Sequence, residues 1–307
     1  MPISNSAISK VDTEEEPEMV ETSLLEQLVA FHDYKTLSAA AEHLLTSQPA
    51  LSRSMRKLEE EFGVSLFERS KNRLLLNENG ILAAEGARQV LNEQEAMLAR
   101  VRALDRSRRT IAVGSVAPGP LMDLSPMLSS EYEDRTVSTE LQKEEELIPM
   151  LKQGIFQLII LREVPADDEI VACPCGSEHL YVSLPESHPL ASRKSVTFAE
   201  MDGTEFLQIS NVGIWEGIKK AEMPHARIYL QKDNSAIKAI AAVSSMATFK
   251  TDISCRHHAP EPGRVVIPFS DESATVHFWC CAIKKDERKY RNWFKTLESR
   301  YGKKQNR

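Results

Sequence analysis

The sequence predicts an α/β chain in three parts: an N-terminal winged helix-turn-helix, a long linker helix and an α/β domain built from two units. Three observations predict it. Ser47-Gln48-Pro49-Ala50-Leu51-Ser52-Arg53 has the residues of a helix that enters a DNA groove. Residues 78–105 are helix formers almost without interruption. Beyond Arg109, short apolar runs alternate with helical stretches, the pattern of a sheet covered by helices.

Residues 1–21 come first. Asp12, Glu14, Glu15, Glu16 and Glu18 stand against Lys10 alone, with Pro17 and several serines, which predicts a solvated, disordered acidic extension. Residues 22–80 follow as a winged helix-turn-helix. Leu25, Leu28 and Phe31 mark a first amphipathic helix capped by Thr22, and Thr36 to Leu44 a short, alanine-rich second one. Leu45-Thr46-Ser47 is the turn into the third. Ser47 is a good N-cap and Pro49 is tolerated in a first helical turn, where no intrahelical acceptor waits for its missing N–H. Leu51, Met55, Leu58 and Phe62 form one stripe for burial, and Gly63 closes the helix. Gln48, Ser52 and Arg56 form a second stripe, with Pro49, Arg53 and Lys57 beside it. These stripes carry the amide, hydroxyl and cationic groups that read base edges and hold phosphates. Leu66 to Arg69 and Leu74 to Leu76 then flank a basic tip. That pattern predicts a β-hairpin wing with Arg69, Lys71 and Arg73 directed at phosphates or a minor groove.

Leu25-x-x-Leu28-x-x-Phe31, Ala40-Ala41-x-x-Leu44, Ser47-Gln48-Pro49-Ala50-Leu51-Ser52, Leu58-Glu59 and Gly63-x-x-Leu66-Phe67-x-Arg69 together resemble the N-terminal signature of LysR-type transcriptional regulators. The match runs from Leu24 to Gly80. It implies DNA contacts from Thr36, Ser47, Gln48, Pro49, Ser52, Arg53, Arg56, Lys57, Arg69, Lys71 and Arg73. Asn77 stands where the family usually has threonine, and both residues cap helices.

Residues 81–108 are expected to form the linker helix, with Ala84, Ala87, Leu91, Leu98 and Val101 along one seam. A helix this long needs a partner to bury its stripe. The resemblance implies antiparallel pairing of two such helices in a homodimer or homotetramer, holding two reading heads at a set spacing.

After the polar hinge Arg106 to Arg109, strands are expected at Thr110–Gly114, Val137–Leu141 and Leu158–Leu161, with helices at Leu121–Ser130 and Glu144–Gln153 between them. This order implies a parallel sheet. A second unit begins near His179–Pro185 and continues through Phe206–Ile209, Arg227–Leu230 and Val265–Ile267, with a helix from Ser235 to Val243. Thr275–Ile283 is the final strand and Lys285–Tyr301 the closing helix. The resemblance implies the two-lobed fold of type 2 periplasmic binding proteins, with lobe I at 109–182 and 275–307 and lobe II at 183–274. Its cleft lies at strand C-termini and helix N-termini, where anions are favoured. On that basis Ser115, Val116, Ala117, Lys143, Ser210, Phe249 and Lys250 border a small anionic effector. Met246 and Thr248 replace two glycines usual in the family, and Gln157 replaces an aspartate.

Composition limits the alternatives. The net charge of −7 argues against a protein that simply coats nucleic acid. Seven Lys/Arg face eight Asp/Glu between Ser23 and Gly80, so DNA affinity must come from local placement and from pairing of heads. No run is long and apolar enough for a membrane span, and Met1–Val20 lacks a secretory core, so a cytoplasmic location is expected. Five cysteines fit a reducing compartment. Their spacing is too tight for a zinc site, no cofactor is expected, and no catalytic motif is present, so no enzyme is expected. The expected function is sequence-specific binding of double-stranded promoter DNA, modulated by the effector and read by RNA polymerase. A redox-responsive regulator using cysteines, and a receptor without DNA function, are the alternatives.

Overall fold

Helices come first in the chain, and each begins or ends where its capping chemistry allows. The computed structural model of the chain describes residues 20–70 and 73–302. Residues 1–19 of the acidic extension, and Lys71, lie outside the described residues. Helix α1 spans Thr22–Tyr34, α2 Leu37–His43 and α3 Gln48–Phe62. The wing strands are β1 at Phe67–Ser70 and β2 at Arg73–Leu76, and α4 runs over Glu78–Ser107. Two units divide within α4, between Leu98 and Ala99.

In the first unit, Thr22 is the first residue of α1 and not its cap. Glu21 takes the cap position, and its carbonyl accepts the N–H of Leu24 at 2.9 Å. Leu28, Leu51, Leu58, Phe31 and Ala40 are buried together with Leu66 and Phe67 of the wing and Ala84 and Ala87 of α4. Phe31 and Phe67 meet edge to face at 5.6 Å. Phe62 departs from its expected stripe. It is 37% exposed, as the last residue of α3 before Gly63. Along α4, Ala84 and Ala87 are buried, whereas Leu98 and Val101 of the expected seam are exposed.

The second unit contains β3 (Thr110–Ser115), α5 (Pro118–Glu131), β4 (Thr136–Leu141), α6 (Glu144–Lys152), β5 (Leu158–Leu161) and β6 (Ile170–Pro185). It continues through α7 (Phe198–Met201), β7 (Glu205–Ile209), α8 (Ile214–Glu222), β8 (Arg227–Gln231) and α9 (Asn234–Val243). The last elements are β9 (Ala247–Thr251), α10 (Asp252–His257), β10 (Arg264–Pro268), β11 (Thr275–Ile283) and α11 (Arg291–Tyr301). The strand order is β4-β3-β5-β11-β6-β9-β7-β8, with β10 beside β6.

The sheet is mixed, not parallel throughout. β3, β4 and β5 are parallel, as are β7, β8 and β9. β11 runs antiparallel to both β5 and β6, because it returns from the second lobe. β6 joins the lobes. Its residues up to His179 pair with β11, and from Leu180 it pairs with β9 and β10. After Val243 a short turn over residues 244–246 leads into β9, and α8 was not anticipated from the sequence.

Candidate functional site

The first candidate surface is the N-terminal end of α3. Ser47 Oγ accepts the N–H of Ala50 at 3.3 Å, and Gly63, at φ 65°, closes the other end in the left-handed region. Thr36 caps α2 in the same way, accepting from Ala39 N–H at 3.2 Å. Both hydroxyls therefore have structural work, and both residues are exposed beside the turn. Gln48 and Pro49 are exposed at the tip, and Ser38 Oγ donates to Gln48 Oε1 at 3.2 Å. Ser52 is half-buried behind them.

The cations along α3 are not equivalent. Arg53 and Arg56 are exposed, with no ion pair among the described residues. Lys57 lies 2.6 Å from Glu21 and 3.4 Å from Glu61. The hydrogen bond to Glu21 lifts its pKa above the ordinary lysine range.

The wing is fastened to α3 by one carboxylate. Glu59 Oε1 accepts Leu66 N–H at 2.9 Å, Phe67 N–H at 3.1 Å and Ser65 Oγ–H at 2.9 Å. Asn77 Nδ2 donates to the Ser65 carbonyl at 2.9 Å, and Asn77 Oδ1 accepts Gly80 N–H at 2.9 Å, capping α4. A Cβ on Gly80 would fall 2.1 Å from the Leu66 carbonyl oxygen, so this junction requires glycine. Arg69 lies on β1 and Arg73 on β2, where Arg69 is in register with Leu74.

The second candidate site is a cleft of about 270 Å³ in the second unit. Ser210, Phe249 and Lys250 of the expected effector set line it, as do Thr248, Gln208 and Lys219. Ser115, Val116, Ala117 and Lys143 do not. Ser115 is fully buried, its hydroxyl donating to the Ala117 carbonyl at 2.7 Å. The Val116 carbonyl accepts Ile214 N–H at 2.9 Å, so this strand end supports the start of α8. Gly213 makes that approach possible, since a Cβ there would lie 1.9 Å from the Val116 oxygen. Lys143 is the exposed N-cap residue of α6.

Lys250 is already engaged. Its Nζ lies 2.6 Å from Glu261, and both side chains are mostly buried. Arg264 fills the space beside them, donating to the carbonyls of Ala241, Ser183 and Met246. The turn after α9, which holds Met246, is thus pinned by a guanidinium, while Thr248 lies in β9. Gln157 spans two segments, accepting Ala112 N–H at 3.0 Å and donating to the Gly154 carbonyl at 2.8 Å.

Lys219 is the site residue that sequence reasoning missed. It is 1% exposed, donates to Gln208 Oε1, and lies 4.1 Å from the centre of the Phe249 ring. Phe249 stacks on Phe206 at 4.2 Å. Burial pulls the Lys219 amine down to about 7, opposed by the Glu216 and Glu178 carboxylates. Glu178 is buried too, and receives Trp215 Nε1–H at 2.8 Å. Burial raises its pKa. The available signal was the Ile-Lys-Lys-Ala spacing, but without a helix assigned there either lysine passes for a solvated one.

Four of the five thiols are shielded. Cys173, Cys175, Cys280 and Cys281 are buried, and burial pushes Cys173 to about 11 and Cys280 to about 12. Cys255 is exposed. Among the described residues, no group of three His, Cys, Asp or Glu is placed to hold a metal ion, and no helix is long and apolar enough to cross a membrane.

Comparison with known proteins identifies both parts. Residues 22–81 match the bacterial regulatory helix-turn-helix protein, lysR family, and residues 103–299 match the LysR substrate binding domain. The hydrogen peroxide-inducible genes activator of Haemophilus influenzae is 29% identical over 193 residues, 61% of this chain and 64% of that protein. The RuBisCO operon transcriptional regulator of Allochromatium vinosum is 30% identical over 184 residues, 59% of this chain and 60% of that one. The match therefore spans less than two thirds of the length of these relatives. Among solved structures, a full-length OxyR variant from Pseudomonas aeruginosa aligns with TM-score 0.51 at 21% identity, covering 92% of this chain and 95% of that one. A full-length BenM mutant aligns with TM-score 0.50 at 19% identity, covering 92% and 97%. At these identities the structures establish the fold.

Proposed function

Because the chain belongs to the LysR family of bacterial helix-turn-helix regulators, we propose that it binds promoter DNA through α3 and the wing, under control of a small molecule held in the cleft of its second unit. The observation that carries this reading is the tip of α3. Gln48, Pro49, Arg53 and Arg56 stand exposed there, on a helix capped at both ends and locked by Leu51, Met55 and Leu58. Base edges are read by such amides and guanidiniums, and phosphates hold the frame.

Binding by a dimer or a tetramer of this chain is part of the proposal. Leu82, Val90, Met97, Val101 and Leu104 recur at helical spacing on α4, and each is half exposed or more. An apolar stripe of that length is supported by pairing with a second copy. The regulated output is transcription by RNA polymerase. The effector carries negative charge, which the helix N-termini of α8 and α9 at the cleft favour.

A thiol-based control is the second reading, suggested by the cysteine count alone. Reactive cysteines are exposed and have lowered pKa values. The four core thiols here are buried with raised ones, which favours the ligand reading. Fluorescence anisotropy of the full chain on DNA from upstream of its own gene tests the proposal. Saturable binding that weakens in Arg53→Ala is expected, and equal affinity for unrelated DNA contradicts it.

A further inference from the structure

The charges around the cleft do not balance, and the imbalance says what fills it. Four titratable side chains line the cavity: Glu178, Lys219, Lys250 and His258. Lys250 is neutralised by Glu261 at 2.6 Å. Glu178 is turned to Trp215 Nε1 and the N-terminus of α5, where a Cβ on Gly119 would lie 2.1 Å from its carboxylate. Lys219 has no carboxylate within ion-pair distance among the described residues, and its amine finds an amide oxygen and a ring face instead. A buried amine without a counter-charge is costly, and one negative group beside it removes that cost. A second observation is independent of the lysine. Thr248 is 2% exposed and lines the same cavity, and its hydroxyl has no hydrogen-bond partner among the described residues.

We infer that the effector of this cleft is a small organic acid with a single negative charge, anchored by the Lys219 amine, with an apolar body along Met122, Leu180, Ile209 and Phe249. This rests on the cleft being the effector site. A dianion brings a second charge that no other unpaired amine or guanidinium among the described residues of the cavity wall compensates, since burial holds the His258 imidazole below its ordinary range, and a neutral molecule leaves the amine unpaired. The volume of about 270 Å³ admits only a small body. The Thr248 hydroxyl is left for a further oxygen of the ligand.

The test is thermal unfolding of the full chain at pH 6.5 with four probes of similar body: phenylacetate, phenylacetamide, phenethylamine and phenylmalonate. Phenylacetate is expected to raise the midpoint in a dose-dependent way, and the other three to leave it unchanged. Lys219→Met is expected to abolish the shift, and Lys220→Met, on the exposed side of the same helix, to keep it. Lys219→Met should itself unfold at a higher temperature than the parent without ligand, which shows that it folds. A shift with the amide or the dianion equal to that of phenylacetate overturns the inference. So does a phenylacetate shift that survives Lys219→Met, or no shift with any probe. The cleft as effector site is judged separately, by whether any probe that binds, whatever its charge, alters the mobility of the complex with promoter DNA.

Discussion

The carboxylate of Glu59, on α3, accepts the backbone N–H of Leu66 at 2.9 Å, at the foot of the wing. The same oxygen also takes Phe67 N–H and Ser65 Oγ–H, so one side chain couples the groove helix to the hairpin. Glu59→Ala leaves two backbone donors without this partner. A loss of about 1–3 kcal/mol in the stability of the first unit is expected. Hydrogen exchange at Leu66 and Phe67 should accelerate, while amides of α1 stay protected. Unchanged exchange at both positions would remove Glu59 from this role.

Gly213 and Gly217 lie four residues apart at the start of α8, with opposite requirements. Gly213 has φ 61° and meets the Val116 oxygen, so Gly213→Ala adds strain and a clash together. Gly217 is helical with open space around its Cβ position. Gly213→Ala should lower the unfolding midpoint markedly. Gly217→Ala should raise stability by about 0.4–1 kcal/mol, through reduced freedom of the unfolded chain. Similar effects from the two substitutions would contradict the close approach of α8 to Val116.

Much of the first unit was legible in the sequence because its determinants are local. Ser47, Thr36 and Gly63 announce helix ends through chemistry that acts within three residues. Glu21 was missed because Thr22 is the better cap by residue type, yet the turn began one residue sooner. The cleft was less legible because its lining depends on contacts between distant segments. Val116 looked free at a strand end, but the Ile214 N–H occupies its carbonyl. Lys250 looked available until Glu261 came beside it, and nothing in the neighbouring pair Lys219 and Lys220 says which is buried.

Ion pairing separates the cations of α3. Arg56→Ala should weaken binding to all DNA sequences and reduce the slope of log affinity against log salt by about 0.9, the value of one released counterion. Lys57→Ala should change the slope least, because Glu21 and Glu61 already hold that amine. Gln48→Ala should instead alter preference at one base pair, by about 1–3 kcal/mol. Anisotropy titrations at several salt concentrations check all three. An equal slope change for Arg56 and Lys57 would contradict the distinction.

Stability should depend on pH through Lys219. Its folded-state pKa, about 7, lies below that of the unfolded chain. Between about 7 and the ordinary lysine value near 10.4, the unfolded state binds the extra proton, so this group makes stability rise with pH. Its full penalty is present below about pH 7. The groups that bear on it are Glu216 on its own helix and Glu178 on β6, with Gln208 and Phe249 uncharged against it. Lys219→Met should therefore be more stable than the parent at pH 6, with the advantage shrinking toward pH 10. Urea unfolding at both pH values measures this. A difference independent of pH would contradict the buried amine.

Whether this chain reads DNA as paired heads is decided by selecting bound sequences from a random double-stranded library with the full chain. Paired heads should enrich an inverted repeat whose two half-sites lie a fixed distance apart, and that enrichment should vanish when Gln48 and Arg53 are both replaced by alanine. Enrichment of a lone half-site, or of no sequence at all, would contradict the pairing.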